Sequence, residues 1–167
     1  MSLSASAAIS PCLWFDHELE EAAEFYTSVF PNSSMGHLTR YKDSGPGEQG
    51  AVMAGEFTID GLRFRGINGG PDHAGFTETI SFSVTCQDQA EVDHYWDSLT
   101  SGGGEESVCG WLKDRFGLSW QIVPQRLYDL MEDPDPARAN AAVEAMLRMR
   151  KIVVADLEAA ADAVAPA

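Results

Sequence analysis

Two polar side chains occupy matching positions in two similar segments and could bind a small molecule. Arg65 and Gln121 each lie four residues after a glycine, in Gly61-Leu-Arg-Phe-Arg65 and in Gly117-Leu-Ser-Trp-Gln121. A guanidinium can bind a carboxylate or a phosphate through two parallel hydrogen bonds, and an amide supplies neutral donors and an acceptor. Arg65 could equally be a surface arginine paired with an acidic residue, and the sequence leaves both interpretations open.

Other polar and aromatic residues could contribute to the same binding site. Thr79, Ser81 and Ser83 alternate with apolar residues, so they share one face of a predicted strand over 79–84. They could line a ligand cleft or simply face solvent. Trp111 could stack on a planar ligand or pack against neighbouring strands. The candidate ligand-binding residues are therefore Arg65, Thr79, Ser81, Gln121 and Trp111.

No group of residues indicates a catalytic centre, so the catalytic residues are unknown at this stage. The four histidines have no spacing typical of metal ligands. Cys109 lies beside a glycine, but no positioned base accompanies it. We therefore expect Cys109 to be a buried structural thiol.

The elements that must position these residues follow the same order twice. An apolar strand over 9–15 precedes an amphipathic helix that ends at Pro31-Asn32, and strands at 37–41, 51–59 and 62–68 follow. The second series has a strand over 79–84, a helix over 87–99 and then further strands, including 111–113 and 118–123. A loop over 44–50, rich in glycine, is a candidate mobile flap.

Matching residues indicate that the two series are an internal duplication. Glu24-Phe-Tyr-Thr-Ser-Val29 aligns with His94-Tyr-Trp-Asp-Ser-Leu99, and the two glycine-led segments align near the end of each series. We interpret residues 9–70 and 77–124 as two βαβββ modules within one domain over 1–167, of the α+β class. Residues 125–167 form a predicted helical extension, with Asp135-Pro136 as a helix start.

The period of two in the last strands predicts which side chains are buried. Leu118, Trp120 and Ile122 alternate with Ser119, Gln121 and Val123. We expect Trp120 and Phe64 to lie under the helices. Arg65 and Gln121 would then lie on the sheet faces that the helices do not cover.

Composition and charge exclude several classes of partner. The 167 residues carry a net charge of −15, which repels nucleic acids and anionic lipids. Three cysteines without paired spacing favour a reducing compartment. The sequence has no run of apolar residues long enough to span a bilayer and no basic leader at its start. We expect a cytoplasmic protein with neither nucleic acid nor membrane partners.

The chain resembles a known family over nearly its whole length. Trp14-Phe15-Asp16, Asn68-Gly69-Gly70 and, above all, the stretch from Cys109 to Pro124, CGWLKDRFGLSWQIVP, are similar to the PhnB-like family, which often carries the label 3-demethylubiquinone-9 3-methyltransferase. That family lies within the glyoxalase, bleomycin-resistance and dioxygenase (vicinal oxygen chelate) superfamily. The resemblance implies paired βαβββ modules whose sheets curve around a cleft, and a homodimer.

The resemblance also bears on cofactors. Active members of the superfamily bind a divalent metal through His, Gln or Glu on the first and last strands of each module. The matching positions here are Arg65 and Gln121 on the last strands and Thr79 on one first strand; the other falls within 9–11. Because a guanidinium cannot ligate a cation, we expect no metal and no other cofactor.

Three functions remain in competition. We favour a metal-free protein that binds a small anionic molecule in a cavity shared by Arg65 and Gln121, with the arginine substituting for the metal. The alternative is a metal-dependent lyase, isomerase or dioxygenase of the superfamily. The methyltransferase is less favoured, because Gly69-Gly70 and Gly102-Gly103-Gly104 do not follow the strand, glycine turn and helix pattern of nucleotide-binding units.

Overall fold

The computed structural model describes residues 9–42, 47–72 and 75–164. The chain divides into two compact units, one ending at Gly75 and the other beginning at Phe76. We call them unit 1 and unit 2. The predicted flap over 44–50 lies partly outside the described residues, which resume at Gly47.

Unit 1 is a four-stranded mixed sheet with one helix. Its elements are β1 (Cys12–Phe15), α1 (Leu19–Val29), β2 (Ser34–Arg40), β3 (Val52–Ile59) and β4 (Leu62–Asn68). The strand order is β1-β4-β3-β2, with β1 parallel to β4 and the other pairs antiparallel. Asp60 and Gly61 join β3 to β4 with φ angles of 43° and 75°, as a two-residue turn with positive φ at both positions requires.

Unit 2 repeats this arrangement. Its first elements are β5 (Ser81–Cys86), α2 (Gln89–Thr100), β6 (Glu105–Glu106), β7 (Trp111–Lys113) and β8 (Ser119–Pro124). The strand order β5-β8-β7-β6, with β5 parallel to β8, is the order found in unit 1. The predicted α+β class and the duplicated βαβββ module are confirmed.

In unit 1, the helix covers one face of the sheet. Leu19 and Tyr26 of α1 are fully buried. The Tyr26 ring stacks on Phe57 at 6.3 Å between centroids, and Phe57 stacks on Phe64 at 5.4 Å. Gly66 lies directly under Leu19, where a Cβ would collide with the leucine side chain. The predicted burial of Phe64 is confirmed, and the opposite face of this sheet is left open to polar residues.

In unit 2, the buried carboxylate of Asp114 stabilises the β7–β8 hairpin through hydrogen bonds. Asp114 is 3% exposed, and its Oδ2 accepts a hydrogen bond from Trp120 Nε1 at 2.8 Å. Its Oδ1 accepts from the backbone N–H groups of Phe116 and Leu118 at 2.9 and 3.1 Å. Trp120 is 2% exposed and packs beside Phe82, so its predicted burial is also confirmed.

Three helices follow the second module: α3 (Gln125–Met131), α4 (Pro136–Met146) and α5 (Val154–Asp162). They bury their own apolar core, which includes Leu127, Leu130, Ile152 and Leu157. The Asp135 side chain caps α4 by accepting from Ala137 N at 2.9 Å, as Asp135-Pro136 predicted.

Several boundaries differ from the sequence prediction. The helical spacing of Val143, Leu147 and Arg150 predicts a helix that continues to about Arg150, but α4 ends at Met146. The next residues form tighter i→i−3 hydrogen bonds, from Arg148 N to Ala145 O and from Met149 N to Met146 O. The segment 125–131 forms a separate helix that the sequence analysis did not identify. None of the helices in the described part of the chain has the length and apolarity that a bilayer crossing requires.

Candidate functional site

Arg65 lies on the open face of the unit 1 sheet and is held by a neighbouring carboxylate. Its Nε and Nη2 both lie 3.1 Å from Glu56 Oε1, since Glu56 is the residue directly opposite Arg65 in β3. The two side chains are 57% and 42% exposed. The remaining guanidinium nitrogen, Nη1, has no partner among the described residues. Both interpretations of Arg65 therefore apply: its guanidinium is paired with Glu56, and the Nη1 nitrogen stays available for a ligand.

A cavity of about 740 Å³ lies beside this arginine. Its walls come from the open face, with Cys12 of β1, and His37 and Thr39 of β2. Cys12 is paired in register with Arg65 across the parallel strands. The lining contains the Arg65 cation, the Glu56 carboxylate and several hydrogen-bonding groups, a composition that suits a small polar ligand.

Gln121 lies on the open face of the unit 2 sheet. Its Nε2 donates a hydrogen bond to Ser81 Oγ at 2.9 Å. The register places Trp111 opposite Gln121 on one side and Ser83 opposite it on the other. The structure thus brings together three of the predicted ligand-binding residues: Gln121, Ser81 and Trp111.

Thr79 is positioned differently from the expectation. Strand β5 begins at Ser81, so Thr79 precedes the strand in a turn in which the Thr79 and Thr77 hydroxyl oxygens lie 2.6 Å apart. Ile80, an apolar residue of the same alternating segment, is 70% exposed. The residues beside Gln121 on the first strand of the module are Ser81 and Ser83. Arg65 belongs to unit 1 and Gln121 to unit 2, and a cavity shared by the two stays a prediction.

The sequence analysis missed several residues of these faces. Glu56 could have been found, because a two-residue turn at Asp60-Gly61 pairs Ile59 with Leu62 and hence Glu56 with Arg65.

Cys109 was predicted to be buried, but it is only half-buried and adopts φ of 59° between Val108 and Gly110. No sequence pattern predicted that conformation.

The donors at the superfamily's metal positions do not fit a divalent cation. Arg65 cannot ligate a cation, and Gln121 offers a single amide beside serine hydroxyls. Within the described residues, no three His, Cys, Asp or Glu side chains come together in an arrangement that could hold a metal ion.

One further ion pair lies at the edge of the open face of unit 2. Lys113 Nζ is 2.6 Å from Glu78 Oε1. The hydrogen bond and the charge of Glu78 raise the pKa of Lys113, and the same contact lowers the pKa of Glu78. Both groups therefore stay charged throughout the physiological range.

Comparison with known proteins identifies the family. The family model described as 3-demethylubiquinone-9 3-methyltransferase matches residues 7–123. The chain belongs to this family. The match covers both βαβββ modules and ends before α3, so the three C-terminal helices lie outside it. The family match and the duplicated topology together make the chain a member of the glyoxalase-like superfamily.

Solved structures agree with this assignment. A PhnB protein from Bacillus cereus is 34% identical, with a TM-score of 0.65, over 70% of this chain and 98% of that one. Protein PA1353 from Pseudomonas aeruginosa shares the fold at 20% identity and a TM-score of 0.56, over 71% of this chain and 98% of its own. No protein of curated function matches the chain.

The family's description names a methyltransferase, but the modules lack the usual nucleotide-binding turn. The turn from β1 to α1 is Asp16-His17-Glu18, and the turn from β5 to α2 is Gln87-Asp88. Neither contains the glycines that allow a backbone to approach a bound nucleotide closely.

Proposed function

We propose that this member of the 3-demethylubiquinone-9 3-methyltransferase family binds a small anionic molecule without a metal, with Arg65 as the principal contact. The observation that carries the proposal is the Arg65 guanidinium, which Glu56 holds beside a cavity of about 740 Å³ while Nη1 stays unpaired. A carboxylate or phosphate placed there would receive charge-assisted hydrogen bonds, which are roughly twice as strong as neutral ones.

The Glu56 pair does not prevent such binding. Ion pairs between half-exposed side chains are worth about 0–1 kcal/mol, so a ligand can join or displace the Glu56 carboxylate at little cost. The more important effect of Glu56 is to restrict the orientation of the guanidinium. The proposal rests on the residues of unit 1 alone, and the contribution expected of the unit 2 residues Gln121, Ser81, Thr79 and Trp111 stays a prediction.

The test compares two arginines of one strand. Arg63 and Arg65 lie on the same face of β4, but only Arg65 lines the cavity. Arg65→Met and Arg63→Met change the net charge equally, so any general electrostatic effect is matched. Calorimetric titrations with oxalate, malonate and inorganic phosphate at constant ionic strength should show tighter binding to the wild type and to Arg63→Met than to Arg65→Met. We expect about a tenfold loss or more for Arg65→Met, from hydrogen bonds to a charged group worth about 1.5–3 kcal/mol.

Three results would contradict the proposal. Equal losses in the two variants would show that the arginine contributes only general charge. Elemental analysis of the purified protein that finds one tightly held divalent metal per chain would favour the metal-dependent enzyme. Saturable binding of S-adenosylmethionine would favour the methyltransferase.

A further inference from the structure

A second cavity, of about 520 Å³, lies on the open face of unit 2. Its walls include Trp111 and Lys113 of β7, Glu105 of β6, Ser119 of β8 and Glu78. The strand register explains this grouping. Glu105 is opposite Lys113, Lys113 is opposite Ser119, and Ser119 is opposite Ser81, so one row of side chains crosses all four strands on the same face.

A buried hydroxyl in this row has no partner. Ser119 is only 1% exposed, yet its Oγ forms no hydrogen bond within the described residues. Leaving a buried hydroxyl unpaired costs about 1–3 kcal/mol, so such a group in a native protein calls for an explanation. Because Ser119 lines the cavity, a bound ligand with a hydrogen-bonding group would satisfy it.

The charge around the cavity selects the ligand class. Three carboxylates line it, those of Glu78, Glu105 and Glu106, against the single ammonium of Lys113. Lys113 is already paired with Glu78, and Glu106 accepts a hydrogen bond from Trp96 Nε1 at 3.0 Å and lies 3.7 Å from Arg150 Nη1. The backbone of Glu105 pairs with Lys113 in the sheet, but its exposed carboxylate forms no hydrogen bond or ion pair within the described residues. The uncompensated charge is therefore negative, and the overall charge of −15 also attracts cations.

Trp111 adds an aromatic surface to this negative charge. It is half-buried and lines the cavity on the same face as Glu105 and Ser119. An indole ring attracts an organic cation through its π face, and tryptophan is the most effective side chain for this interaction. A carboxylate, an indole and an unpaired hydroxyl in one cavity are suited to a protonated amine that carries a ring.

The C-terminal extension helps to shape this cavity. Cys109 N donates to Met149 O and Gly110 N to Arg150 O, both at 2.8 Å, which fixes the loop that forms one wall. Residues 149 and 150 lie beyond the family match, which ends at residue 123. The shape of the wall is therefore determined in part by a region that the family model does not include.

We infer that the cavity bounded by Glu105, Trp111 and Ser119 is a binding site for a small aromatic ammonium compound. It is separate from the anion site proposed at Arg65 and has the opposite charge preference. The ring contacts Trp111, and the ammonium group lies between Glu105 and Ser119, donating hydrogen bonds to the carboxylate and to Ser119 Oγ.

The experiment uses 2-phenylethylamine as the probe and 3-phenylpropionate as its anionic counterpart. Isothermal titration of the full chain at low salt should show saturable binding of the amine, weaker binding at high salt, and little binding of the acid. Glu105→Gln should weaken amine binding about tenfold, as expected for a lost charge-assisted contact. Glu132→Gln removes the same charge at an exposed position outside the cavity and should leave the affinity nearly unchanged.

Ser119→Ala provides an independent arm, because it removes an unpaired buried hydroxyl and so should leave the melting temperature unchanged or raise it. The same variant should bind the amine roughly two- to tenfold more weakly. The inference is overturned if the amine fails to bind at concentrations up to about 10 mM. It is also overturned if the acid binds as well as the amine, or if Glu105→Gln and Glu132→Gln have equal effects.

Discussion

Replacement of Trp120 tests the assignment of the two sheet faces in unit 2. The side chain is 2% exposed, packs against Phe82, and donates to the buried Asp114 at 2.8 Å. Truncating a buried tryptophan to alanine costs about 3–5 kcal/mol through lost burial and a residual cavity. Trp120→Ala also removes one donor from a buried carboxylate, so we expect a loss at the upper end of that range.

The assay is urea denaturation followed by far-UV circular dichroism, with the free energy of unfolding extrapolated to water. Trp111→Ala is the matched control, because it makes the same substitution on the open face of the same hairpin, and we expect it to cost about 1 kcal/mol. Natural domains are stable by only about 5–15 kcal/mol, so Trp120→Ala could unfold the chain completely. Trp120→Phe keeps most of the ring and loses the N–H donor, and it should cost about 1.5–3 kcal/mol. A loss below about 1 kcal/mol for Trp120→Ala, or an equal loss for Trp111→Ala, would show that the face assignment is wrong.

Three further predictions concern cysteine reactivity, pH dependence and assembly. Burial, assisted by nearby carboxylates, raises the pKa of Cys86 to about 12. At pH 8 iodoacetamide should therefore modify the exposed Cys12 and spare Cys86 in the native protein, which peptide mass spectrometry can measure. Equal modification rates for the two cysteines would contradict the burial of Cys86. A hydrogen bond from the backbone N–H of Asp135 lowers the pKa of Asp133, and the Arg138 side chain adds a smaller effect in the same direction. The ionised Asp133 carboxylate therefore stabilises the fold above the unfolded pKa of about 3.9, and this stabilisation is lost as the pH falls through the lower folded pKa. Chemical denaturation at several pH values should show a steeper acid loss of stability for the wild type than for Asp133→Asn; parallel curves would refute this. We also propose that the protein forms a homodimer, and light scattering that detects only monomer at micromolar concentration would contradict this.

Local patterns in the sequence predicted the architecture well, because the same signals appear in both modules. The alternation around Trp120 indicated its burial, and Asp60-Gly61 is a typical sequence for the two-residue turn of the β3–β4 hairpin. The start of β5 was less predictable, since Thr79 and Ile80 continue the alternation of the strand without pairing in the sheet. The end of α4 was also less predictable, since Leu147 and Arg150 continue the helical spacing although the helix ends at Met146.

The candidate sites show the same division between local and non-local information. The strand register alone predicts that Glu56 lies opposite Arg65. Only the structure shows that Glu56 binds two of the three guanidinium nitrogens and leaves Nη1 for another anion. Alternation likewise placed Ser119 on the same face as Gln121, but alternation cannot tell an exposed serine from a buried one. The 1% exposure of Ser119 depends on its three-dimensional surroundings. A binding site that depends on one unpaired buried hydroxyl can therefore be recognised only once the fold is known, whereas the charge of its lining could be read from the sequence.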